Sequence, residues 1–166
     1  GGDTDVSTAP AAAEESETEP DPFEGINYGG RAFRINTSTN VASPGMGNSN
    51  YLIEGDPEAG ASLVNDAVVE RNAIVEDRLG VTLEFTDLDV PYTDVFNEIR
   101  KLVSAGTDEY DLVINDIYPF ANLSLEGNFR NILDTSCIGF DFDHDFWYKS
   151  YMDDMMLVDG YAYLLA

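Results

Sequence analysis

Basic residues, cysteine and histidine are scarce in this chain of 166 residues, and each shortage excludes a class of chemistry. Eight Lys and Arg stand against 32 Asp and Glu, which gives a formal net charge of −24. Such a surface repels nucleic-acid phosphates and anionic lipid headgroups. The single cysteine, Cys137, cannot form an internal disulfide, and the single histidine, His144, cannot build a His-rich zinc site. No apolar run approaches the roughly 20 residues that a membrane helix needs.

The first 30 residues differ from the rest of the chain in composition. They contain eight acidic residues and no basic one, and they show no apolar period. A segment of low hydrophobicity with charge of one sign buries too little apolar surface to offset the conformational entropy that it loses on ordering. We therefore predict a disordered acidic tether over residues 1–29 and an ordered domain over residues 30–166. The chain starts at Gly1 without a Met, which we interpret as a processed or trimmed form.

Apolar periodicity after residue 30 predicts strands and helices in alternating order. The predicted elements are a strand at 33–37, a loop at 40–60, a helix at 65–79, a strand at 81–86, a helix at 94–105 and a buried strand at 112–114. Ser62 or Asn65 is the expected N-cap of the first helix and Thr93 that of the second, and Gly80 and Gly106 are the expected stops. Helices between consecutive strands indicate parallel pairing, so we predict an α/β fold with helices on both faces of the sheet. Residues 155–165, with Asp-Gly at the turn, predict a hairpin.

Polar side chains follow the predicted strands, where ligands bind in open parallel sheets. We take Ser38, Asn40, Asp116 and Tyr118 as candidate hydrogen-bonding groups for a small polar ligand. Trp147 lies in an aromatic segment and is a candidate for stacking on such a ligand. Turn closure and core packing are the structural alternatives for the same residues.

Three other motifs suggest a chemistry but lack residues that this chemistry requires. Residues 111–117 are similar to the strand that ends in the phosphorylated Asp of receiver domains, but no acidic pair follows the first strand. Alternating acids at 141–145 suggest a calcium loop, yet Phe146 and Met152 stand where that loop needs Gly and Glu. No Gly-rich phosphate loop follows the first strand. We therefore predict no catalytic residue, no metal and no cofactor.

Several stretches together resemble the N-terminal lobe of bacterial extracellular solute-binding lipoproteins of ABC transporters, in the group called family 1. The stretches are residues 30–35, 64–72, 97–106 and 108–113, with a closing segment at 157–163 that resembles the hairpin before the second lobe. The combination of NDAVVERN in the first helix with EYDLV before the third strand is the most specific part of the resemblance.

The resemblance implies a periplasmic-binding-protein type II-like fold, in which two α/β lobes close on a ligand by a hinge motion. It implies capture of a small polar solute, such as a sugar or oligosaccharide, and delivery to ABC permease subunits. It also implies an extracellular protein held at the cell membrane by a lipid anchor before the tether. The second lobe is missing from these residues, so we expect a chain truncated near the hinge that binds solutes weakly. A stand-alone α/β enzyme using Asp116 and an acidic extracellular interaction domain remain the alternatives.

Overall fold

The computed structural model describes residues 21, 23–37, 50–88, 90–115, 117–134, 147–154 and 160–163. The elements in chain order are β1 (Arg31–Thr37), α1 (Asn50–Ile53), α2 (Leu63–Leu79), β2 (Val81–Asp87), α3 (Tyr92–Ala105), β3 (Leu112–Val113), α4 (Ile117–Leu125) and α5 (Lys149–Asp154). None of the helices in these ranges is both long and apolar enough to cross a membrane.

The described strands form a parallel sheet in the order β2-β1-β3. In the central strand, Ile35 lies opposite Phe85 on one side and Leu112 on the other. The predicted α/β fold with parallel pairing is therefore confirmed. Among the described strands β3 lies at an edge of the sheet. The prediction that the third strand is buried on both faces is wrong for Leu112, which is 37% exposed, whereas Val113 packs against the core cluster.

The ends of α2 follow the predicted capping chemistry. The Ser62 hydroxyl accepts a hydrogen bond from Asn65 N at 3.4 Å, and Gly80 ends the helix in the left-handed conformation. Apolar residues at helical spacing predict one buried face of α2, made of Val64, Ala67, Val68, Ile74, Val75 and Leu79. This prediction is only partly correct, since Val64, Ala67 and Ile74 are exposed. The inward face instead combines apolar residues with two polar ones that find backbone partners: Val68, Asn72, Val75, Glu76 and Leu79.

The one-turn helix α1 lies inside the segment that we predicted to be a loop. The Asn72 side-chain amide donates to the carbonyl oxygens of Ile53 and Glu54, at 2.9 Å each. Arg71 donates to the carbonyl oxygens of Leu52 and Ile53, at 3.2 and 2.8 Å. Two neighbouring side chains of α2 thus satisfy carbonyl groups at the end of α1, which short sequence patterns do not predict.

The core cluster lies between α3 and α4, on the face of the sheet opposite to α2. Its buried members are Val95, Ile99, Phe120 and Leu123. Helix α3 begins at Tyr92 directly after Pro91, so the predicted cap at Thr93 is wrong, while the predicted stop at Gly106 is confirmed. Proline fixes a φ angle that suits a helix start, which explains why α3 begins at Tyr92 and not at residue 94 as predicted. Helix α4 was not predicted.

Residues just before β1 lie against the C-terminal end of α2. Tyr28 N donates to Leu79 O at 2.8 Å, and Gly30 N donates to Gly80 O at 2.6 Å. The Arg78 guanidinium lies 5.6 Å from the centre of the Phe23 ring and pairs with Asp21. The last part of the segment that we predicted to be a tether therefore contacts the folded domain.

Candidate functional site

The carboxyl ends of the three strands lie side by side at one edge of the sheet. Thr37 and Asp87 are opposite each other in the β1–β2 register, and Ile114 N donates to Asn36 O at 2.9 Å directly after β3. Parallel strands place all their carboxyl ends at the same edge, where ligands of open α/β sheets bind. Four candidate ligand-binding residues follow these strands in the sequence: Ser38, Asn40, Asp116 and Tyr118.

Two polar side chains at the end of β1 are completely buried. The Asn36 amide nitrogen donates to Thr86 O at 3.2 Å, which fixes the side chain across β2. The Thr37 hydroxyl has no hydrogen-bond partner among the residues that the structure describes, although its oxygen is shielded from solvent. A buried hydroxyl without a partner costs about 1–3 kcal/mol. Thr37 is therefore a polar group with unused hydrogen-bonding capacity at the end of the central strand.

A cavity of about 820 Å³, called here the β3 cavity, runs along β3. Leu112, Val113 and Asn115 line it from the strand and its carboxyl end, and Leu102 and Val103 line it from α3. Its aromatic walls come from separate parts of the chain: Tyr110, Phe120, Phe129, Tyr151 and Tyr163. Aromatic faces with a few amide groups are a common lining for pockets that take small ligands.

Asn131 holds the segment that carries Tyr163 against the wall of the β3 cavity. Its side-chain oxygen accepts from Leu133 N at 3.1 Å and from Ala162 N at 3.0 Å, and its amide nitrogen donates to Gly160 O at 3.3 Å. Ile132 N donates to Ala162 O at 2.8 Å. These bonds attach the second arm of the predicted hairpin to residues 131–132, and residues 155–159 of that hairpin lie outside the described residues.

An ion-pair cluster lies at the amino end of β3. Asp111 accepts from Arg31 Nη2 at 2.7 Å, from Arg34 Nε at 3.0 Å and from the Arg34 backbone N at 2.9 Å. The Arg34 side chain holds the pKa of Asp111 below its ordinary value, an effect that burial opposes, while the carboxylates of Asp111 and Asp108 raise the pKa of Arg34. The cluster ties β1 to β3 and keeps Asp111 ionised where it meets the cavity.

Tyr110 is the titratable aromatic side chain at this end of the β3 cavity. Burial raises the pKa of its phenol above the ordinary value of 10.0, the charge of Glu109 acts in the same direction, and the Asn36 side chain acts against both. The hydroxyl is therefore neutral at pH 7. A neutral phenol can donate a hydrogen bond to a polar ligand and accept one from it.

Most of the residues that the sequence analysis selected lie outside this description. Ser38, Asn40 and Asp116 are outside the described residues, and Tyr118 lies in the first turn of α4 with its side chain undescribed. Trp147 is half-buried just before α5 and is not among the residues that line the β3 cavity. Their roles in ligand binding stay predictions. The acidic run at 141–145 also lies outside the described residues.

Tyr151 belongs to the aromatic segment that was predicted to stack on a ligand, but four other aromatic residues of the cavity wall were not predicted from the sequence: Tyr110, Phe120, Phe129 and Tyr163. They are far apart in the chain, so no local pattern brings them together. The Asn-rich stretch at 122–131 is the one sequence signal that could have pointed to this wall, since Asn131 and Asn128 close its turns.

The described residues contain no group of three or more His, Cys, Asp or Glu side chains placed to hold a metal ion. Comparisons of this chain with protein-family models, with curated proteins and with solved structures find no match.

Proposed function

We propose that this domain is the first lobe of an extracellular solute-binding protein that captures a small polar solute, such as a sugar or oligosaccharide, for the permease of an ABC importer. In this proposal a lipid anchor before the acidic N-terminal segment holds the protein at the cell membrane. The observation that carries the proposal is the β3 cavity, an aromatic and amide-lined space that reaches the carboxyl end of a parallel sheet.

The lining chemistry favours a neutral polar ligand. Tyrosine faces can stack on the apolar face of a sugar ring. Asn115 and Asn128 also line the cavity, and the Asn128 amide nitrogen already donates to Leu123 O and Glu126, so its oxygen is the atom that can accept from a sugar hydroxyl. A net charge of −24 repels anionic solutes over long range, so such a solute binds only where a cationic side chain pairs with it at close range. A sugar carries no charge and escapes this repulsion.

The exposure of the cavity wall is consistent with a binding surface that a second lobe covers. Val103, Leu112 and Tyr151 line the β3 cavity, and each remains exposed to solvent. Ligand pockets of this size normally bury most of the ligand surface. The exposed wall gives a ligand fewer contacts than a closed pocket would, so we expect this chain alone to bind its solute weakly, with an affinity in the millimolar range.

A nuclear magnetic resonance titration tests the proposal. The chain is titrated with a panel of neutral mono- and oligosaccharides, and we expect saturable shifts of Tyr110 and Tyr163 resonances for at least one sugar. Tyr163→Ala should weaken that binding about three- to tenfold, since one aromatic contact is removed. Tyr148→Ala is the matched control, because Tyr148 is 72% exposed and does not line the cavity.

Two results would contradict the proposal. One is the absence of saturable shifts with every sugar of the panel. The other is an equal loss of affinity in Tyr163→Ala and Tyr148→Ala, which would place the binding surface elsewhere.

A further inference from the structure

A second cavity, called here the α2 cavity, lies between α2 and the sheet face that carries Phe33 and Ile35. Its volume is about 520 Å³, within the size range of small-molecule sites. Apolar side chains dominate its lining, with Phe33, Leu83 and Phe85 from the strands and Val75 and Leu79 from the helix. Among the described residues it shares only Ile114 with the lining of the β3 cavity.

The apolar side chains around the α2 cavity are not packed as a core. Ile35 is buried, but Phe33, Leu83 and Phe85 keep part of their surface accessible although they face α2. Apolar side chains that face open space lose the contacts that a filled interior gives them. The exposed lining residues Tyr28, Arg31 and Arg71 mark the opening to solvent.

Arg71 at this opening has hydrogen-bond partners of a different kind from those of five other cations in the described residues. Arg31, Arg34, Arg78, Arg100 and Lys101 each form an ion pair with a carboxylate. Arg71 donates four hydrogen bonds, and all the acceptors are neutral oxygen atoms, of Leu52, Ile53 and Asn72. One Nη1 hydrogen remains for a further acceptor. In a chain with 32 acidic residues, a guanidinium held in place without a carboxylate is an anion-binding group at the entrance to an apolar space.

We propose that the α2 cavity binds a carboxylic acid with an apolar body, such as a medium-chain fatty acid. The carboxylate pairs with Arg71 at the opening, and the hydrocarbon chain fills the space beside Phe33 and Phe85. The hydrogen bonds to α1 hold the guanidinium in one position, which lowers the entropy cost of pairing. This site is separate from the sugar site proposed for the β3 cavity.

Calorimetric titration of the whole chain with decanoate, decan-1-ol and decyltrimethylammonium tests the assignment. The three probes share one chain length and differ in the charge of the head. We expect decanoate to bind best and Arg71→Gln to weaken decanoate about tenfold, which is the usual loss for one charged hydrogen bond. Arg78→Gln is the matched control, because Arg78 lies on the same helix and does not line the cavity.

The position of the decanoate hydrocarbon within the cavity is tested separately. Magnetisation transfer from the decanoate methyl group should reach the rings of Phe33 and Phe85, and Val75→Trp, which fills the cavity, should abolish binding. The titration with Arg71→Gln tests the proposal even where the Val75→Trp variant does not fold, because Arg71 is an exposed residue.

Three outcomes would overturn the proposal. The first is that decanoate does not bind. The second is that decanol binds as tightly as decanoate and Arg71→Gln has the same small effect as Arg78→Gln. The third is that magnetisation transfer reaches Tyr110 and Tyr163 instead of Phe33 and Phe85. The first two outcomes leave sugar binding in the β3 cavity unaffected, and the third is separated from it by repeating the sugar titration in the presence of decanoate, so the two proposals can fail independently.

Discussion

Leu123 and Leu125 lie on the same helix, α4, in opposite environments. Leu123 is 0% exposed and packs in the core cluster with Val95, Ile99 and Phe120, whereas Leu125 is 55% exposed. Replacement of a buried Leu by Ala removes apolar contacts and leaves a cavity, which together cost about 2–5 kcal/mol. At an exposed position the cost is about 0.5 kcal/mol or less. Both substitutions change helix propensity equally, so this contribution cancels in the comparison.

We therefore expect Leu123→Ala to lower the free energy of unfolding by about 3 kcal/mol relative to Leu125→Ala. Urea unfolding, followed by circular dichroism and by Trp147 fluorescence, measures the difference. With a denaturant slope of about 1–3 kcal/mol per molar, the midpoint should fall by roughly 1–3 M. Such a loss is a large share of the 5–15 kcal/mol typical of a folded domain. Equal midpoints for the two variants would refute the packing of α4 against α3.

Two further predictions concern the ends of the sheet and of α2. Asp111 has a lowered pKa in the folded chain because Arg34 bonds its carboxylate, so its contribution to stability is present above the ordinary pKa of 3.8 and is lost as the pH falls through the folded value. Urea unfolding at a series of acidic pH values should show a flatter pH dependence for Asp111→Asn than for the unchanged chain, and parallel curves would count against the cluster. Gly80→Ala should lower the melting temperature more than Gly127→Ala. Both glycines have positive φ, so both substitutions strain the backbone. An added Cβ at Gly80 would also collide with the Asn27 side-chain oxygen, whereas a Cβ at Gly127 would meet open space. Equal melting temperatures would show that Asn27 moves aside without cost.

Local patterns predicted the elements whose structure depends on neighbours in sequence. Alternation at Phe33 and Ile35 predicted β1, because side chains of a strand point to opposite faces in turn. Glycines at 80 and 106 predicted the helix ends, since each adopts the left-handed conformation there. Strand–helix alternation was then sufficient to predict the parallel sheet.

Features that depend on distant contacts were predicted poorly. The inward face of α2 includes Asn72 and Glu76, whose side chains bond to backbone atoms of Ile53 and Leu83, so hydrophobicity alone identified Val68, Val75 and Leu79 but not these two polar residues. The edge position of β3 follows from strand order, which periodicity does not encode. The aromatic wall of the β3 cavity assembles residues from four parts of the chain, and only the folded structure brings them together.

The charge around β3 bears on what can cover the free side of this strand. Among the described residues no strand pairs with that side, and an open apolar edge is a common site for pairing between copies of a protein. The residues that lead into β3 include Asp108 and Glu109, and the whole chain carries a net charge of −24. Pairing of two copies through β3 would bring these acids close together and would be opposed by the repulsion between the two chains. The arrangement therefore disfavours a second copy and favours a neutral solute, or a surface of lower negative charge, as the partner of the β3 cavity.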